Sequence, residues 1–142
     1  MGRKQPSTIE LVTLVAGGVV LVGSMLDFYE YSDSYQTFGR SAWSNDVFSP
    51  VTLIPVLCAL VAIAHVALTH FTGLRLPEKV LGLGWEQVHV ALGFQATVMM
   101  VAFLIQDKGF FDIAIGFWLM LLGSIALLVS AVGRQRETAP AT

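Results

Sequence analysis

The sequence predicts an all-α fold: an integral membrane four-helix bundle with both termini in the cytoplasm and an aromatic-rich outer loop. Three observations predict it. Four apolar stretches, residues 11–26, 50–70, 88–105 and 113–132, hold no lysine, arginine, aspartate or glutamate. A bilayer's hydrocarbon core takes about 20 apolar residues in a helix rising 1.5 Å per residue, so each stretch reads as a span. Composition agrees, with 55% of residues hydrophobic and only 13% charged, about half the charge of a soluble domain. The basic residues are also sorted by side. Arg3, Lys4, Arg75, Lys79, Arg134 and Arg136 fall before span one, between spans two and three, or after span four. The other two connections hold only Arg40 and Lys108. Loops rich in lysine and arginine stay in the cytoplasm, which places the protein as a multi-pass component of the cell membrane.

The spans are predicted at residues 9–27, 50–71, 86–106 and 112–133 of a single membrane domain covering 1–142. An outer loop, 28–49, an inner loop, 72–85, and a disordered tail, 134–142, complete the chain. No connection is long enough for a soluble core. Ser7 or Thr8 caps span one, and Glu10 suits the positive end of its dipole. The apolar run after Arg3 and Lys4 exceeds a signal-peptide core, so it reads as an uncleaved span. Gly17, Gly18, Gly23 and Ser24 form a small-residue stripe of the kind that lets membrane helices approach closely.

The outer loop interleaves Phe28, Tyr29, Tyr31, Tyr35, Phe38, Trp43 and Phe48 with acids and serines. Aromatics with one wet end collect at the headgroups. The loop therefore reads either as an interfacial segment with a short helix or as a docking surface for a partner or lipid. Pro50 opens span two, and Pro55 should bend it one turn further in. Glycines and Pro77 mark the inner connection as a loop skimming the inner interface. Trp85 anchors span three, and 106–109 reads as a tight outer turn into span four. Gly116, Gly123, Ser124 and Ser130 give span four its own small-residue face.

Ionisable groups inside a membrane are costly, so each is a functional candidate. His65 and His89 fall at matched depth on successive antiparallel spans, with His70 nearer the surface and Glu86 close by in sequence. Two facing imidazoles suit an axially ligated b-type haem, a proton-carrying pair or a divalent metal with Glu86 as an oxygen ligand, or they are plain structural histidines, each satisfied by a nearby carbonyl or hydroxyl with Thr69 and Gln87 at hand. Gln95, with Thr97, sits at the middle of span three and Ser124 at the middle of span four, where hydrogen bonds hold helices together. The only cysteine, Cys58, lies inside span two and reads as a packing residue. No phosphate-binding glycine loop, His-Glu-x-x-His, Cys-x-x-Cys or Gly-x-Ser-x-Gly occurs. Basic residues are too few for nucleic acid.

With its basic start, the loop ending Trp43-Ser44-Asn45-Asp46, Pro50 and Pro55, and the string from Gly116 through Phe117 and Trp118 to Gly123, the chain resembles the small four-span membrane proteins of actinobacteria. Most of these carry no assigned role. The resemblance implies a plasma-membrane location and no catalytic residue. The functional expectation is a non-catalytic accessory or interaction subunit, binding a membrane partner or copies of itself through the small-residue faces of spans one and four and the aromatic outer loop. A haem-b redox subunit using His65 and His89, and a small oligomeric transporter, are the alternatives.

Overall fold

In lipid every backbone N–H and C=O must be bonded within the chain, so apolar stretches of this length become helices. The computed structural model describes residues 6–44, 51–72, 74, 76–107, 109 and 111–138. It places α1 at Thr8–Met25, α2 at Leu53–Ala67, α3 at Trp85–Ile105 and α4 at Ile115–Thr138. A π-helical turn, Leu68–Thr72, prolongs α2. With that turn counted, all four helices are long and apolar enough to cross a membrane.

Local chemistry sets the ends. Ser7 caps α1 in a reciprocal box: its backbone N–H donates to Glu10 Oε2 at 2.8 Å, and the Glu10 N–H donates to Ser7 Oγ at 3.3 Å. Pro55 is only the third residue of α2. Its missing N–H therefore falls among those that need no intrahelical partner, and the expected bend is not required. The Val51 carbonyl accepts from the Ile54 N–H at 3.2 Å. Pro50, Asn45, Asp46 and Phe48 lie outside the described residues.

The helices form a ring of antiparallel neighbours in which α1 packs against α4 and α2, α3 packs against the same two, and α2 and α4 barely touch. The start of α1 meets the end of α4, where Arg134 Nη2 lies 3.4 Å from Glu10 Oε1. The start of α1 and the end of α4 therefore share one end of the bundle, hereafter the terminal end. The predicted disordered tail is corrected in part, because α4 continues through residues 134–138.

The small residues of α1 and α4 face each other. A Cβ on Gly123 would lie 2.9 Å from the Ala16 carbonyl oxygen, and one on Gly23 would lie 2.9 Å from that of Gly116. Gly17 faces Ile63 of α2. Gly18 differs from the prediction: nothing lies within 4 Å of a Cβ built there, so it packs no helix.

The opposite end carries the main departure from an all-α fold. Strands β1 (Asp27–Ser32), β2 (Thr37–Ser41) and β5 (Phe111–Ile113) make an antiparallel sheet in the order β2-β1-β5. A second hairpin, β3 (Lys79–Val80) with β4 (Leu83–Gly84), lies between α2 and α3. The predicted outer loop thus forms a strand hairpin over residues 27–41, with no short helix among its described residues. The start of predicted span four is a strand, so α3 and α4 are not joined by a tight turn alone.

Candidate functional site

The terminal end gathers the three histidines with Glu10 and Arg134. His65 ends its last α-helical turn in α2, and His89 sits in the second turn of α3. The matched depth read from sequence becomes contact: His89 Nε2 and His65 Nδ1 share a hydrogen bond of 2.9 Å. One ring donates and the other accepts. His89 is buried. Trp85 stacks on His65 with ring centroids 3.9 Å apart and 16° between planes. The indole is itself held, donating from Nε1 to the Pro77 carbonyl at 2.8 Å.

His70 joins this end through the π turn. In an α-helix, residues five apart point about 140° away from each other. The i→i+5 spacing of a π turn brings them back toward one side. His70 Nε2 then reaches Glu10 Oε1 at 2.8 Å. Thr69 Oγ1 bonds the His65 carbonyl at 2.9 Å and that of Val66 at 3.0 Å. Close to these groups, Thr13 Oγ1 donates to Ser130 Oγ at 3.2 Å across α1 and α4. The Glu10–His70 pair and the Thr13–Ser130 bond escaped sequence reasoning. The first needs the π turn and the α1–α2 pairing, the second the α1–α4 pairing.

This arrangement bears directly on cofactors. Two axial nitrogens on one iron stand about 4 Å apart at bond lengths of about 2 Å each. His65 and His89 stand 2.9 Å apart and bond each other. Ligation would require the rings to separate and the His65–Trp85 stack to accommodate a porphyrin. Among the described residues no group of three or more His, Cys, Asp or Glu side chains is arranged to hold a metal ion.

The mid-membrane polar layer differs from expectation. Ser124 donates to the Met120 carbonyl at 2.7 Å and Thr97 to that of Gly93 at 2.8 Å, each within its own helix. Gln95 faces outward and is exposed, so it does not hold α3 to α4. Gly93 does that work unannounced, since a Cβ there would meet the Leu128 backbone at 2.7 Å.

At the sheet end, Phe28 and Tyr29 are both buried because a bulge between Asp27 and Tyr29 breaks strand alternation. Phe28 packs edge-on against Phe103 at 5.3 Å and Phe117 at 5.4 Å, closing the bundle. Ser24 ties the hairpin to α1, accepting from Trp43 Nε1 at 3.0 Å. Tyr35, 94% exposed, and Phe38, 50% exposed, stay on the surface.

No family model, no curated protein and no solved structure matches this chain.

Proposed function

We propose that this protein is a non-catalytic subunit of a membrane assembly. The carrying observation is Gln95. It is the eleventh of the 21 residues of α3, about 15 Å from either end at 1.5 Å per residue. Among the described residues it is the one polar side chain exposed at the middle of a span. An amide without a partner in hydrocarbon costs roughly 4–8 kcal/mol. A protein neighbour removes that cost, and acyl chains cannot.

The polar groups of the terminal end support a structural role for themselves. His65 is engaged by His89 and Trp85, and Glu10 by His70, Arg134 and its own cap. We place the terminal end in the cytoplasm of a plasma membrane, on the distribution of lysine and arginine along the sequence. The likeness to actinobacterial four-span proteins fits this location and rests on the short strings quoted above. The small-residue faces of α1 and α4 are used up against each other, which moves the docking surface to α3.

A photoreactive benzoylphenylalanine in place of Phe94, beside Gln95 and 58% exposed, tests the reading in living cells. Ultraviolet light should give a protein adduct. Adducts with lipid alone would overturn it.

A further inference from the structure

We propose that the occupant of this face is a second copy of the same chain, with the two α3 helices packed in parallel about a two-fold axis normal to the membrane. The inference rests on the assembly reading and names its partner.

α3 carries two seams of the same spacing. His89, Gly93, Ala96, Met100 and Phe103, at alternating intervals of four and three, are buried and face the bundle. Ala91, Gln95, Val98, Ala102 and Ile105 repeat those intervals on the other side, and all five are exposed. This is the spacing of helices that cross at a shallow angle. Small residues at 91 and 102 allow close approach on either side of the amide.

The amide itself selects the partner. A carboxamide has both a donor and an acceptor. Two identical amides related by a two-fold axis can each donate to the other. Copies inserted by the same charge rule share one orientation, so their α3 helices run parallel and each seam position meets itself. Gln95 therefore meets Gln95 at the depth where each needs a partner most. The other outward faces ask for nothing of the kind. Leu11, Val15 and Val22 of α1, Leu57 and Val61 of α2, and Leu122, Ile125 and Val129 of α4 are exposed and apolar, and acyl chains satisfy them.

Disulfide trapping in native membranes tests the pairing, in a Cys58→Ala background that leaves only introduced cysteines. Cysteines at 91, 98 and 102 should each give a dimer on mild oxidation. Cysteines at Val15 and Val129, equally outward at 66% and 65% exposure, should not. Gln95 is exposed and holds no side-chain hydrogen bond among the described residues, so Gln95→Leu leaves the fold's own polar contacts in place. It should weaken dimerisation roughly 10- to 1,000-fold, the range for the two hydrogen bonds lost between spans, and Gln95→Asn should restore part of the loss. Equal trapping at 91 and at 15, or none at 91, 98 and 102, would overturn the pairing. A foreign polypeptide on the Phe94 photoprobe, without α3–α3 disulfides, would overturn the second copy and leave the assembly reading standing. Lipid adducts alone would overturn both.

Discussion

Gly116 lies against Gly23 so closely that a Cβ on it would meet the Gly23 carbonyl oxygen at 2.5 Å. The carbonyl oxygens of Asp27 and Leu26 would follow at 2.7 and 2.9 Å. This contact joins the bundle to its sheet, because it falls where α1 ends and β1 begins.

Gly116→Leu should therefore break the subunit itself rather than an assembly of subunits. Three carbonyl oxygens cannot swing aside as a side chain would, so the cost should reach about 3 kcal/mol or more. Gly18→Ala is the matched control. Its Cβ enters open space, and alanine is up to about 1 kcal/mol better than glycine within a helix. Thermal melts of both variants in one detergent should move in opposite directions. Equal destabilisation would contradict the α1–α4 packing described.

His65 and His89 should behave as one unit. Removing either ring leaves the other without its hydrogen-bond partner, at about 1–3 kcal/mol. His65→Phe with His89→Leu should cost less than the two single substitutions summed, as expected for residues in contact. Additive losses would show that the pair is not bonded. The same preparations, made from cells supplied with haem precursors, should lack a Soret band. A band abolished by either substitution would favour the redox alternative.

Leu81 occupies the first turn position between β3 and β4 with φ 53°, followed by Gly82 at φ 83°. Two positive φ values in a two-residue hairpin loop suit Asn-Gly far better than Leu-Gly. Leu81 is also 97% exposed, so no packing holds it there. Leu81→Asn should relieve about 1 kcal/mol of backbone strain and slow amide exchange in residues 79–84. Faster exchange would count against this turn geometry.

Hydropathy made the four helices legible because length and lack of charge are enough to specify a span. It could not show which way each helix faces. A helix that is apolar all round gives no stripe to read, so Gln95 was expected inside and lies outside, and Gly18 was expected in contact and is not. The paired histidines were legible, because depth counts along antiparallel helices from a shared connection. The sheet was hidden for a different reason. The bulge buries Phe28 and Tyr29 side by side, erasing alternation, and β5 is three residues long at the edge of an apolar run. The His70–Glu10 pair was not legible, because nothing in the neighbours of His70 signals a π turn.

The mass of the protein released from native-membrane nanodiscs, read by native mass spectrometry, tests the central claim most directly. The chain weighs 15.4 kDa, and the account predicts a species of twice that mass, reduced to single chains by Gln95→Leu. A wild-type protein that emerges as one polypeptide carrying only lipid would contradict it.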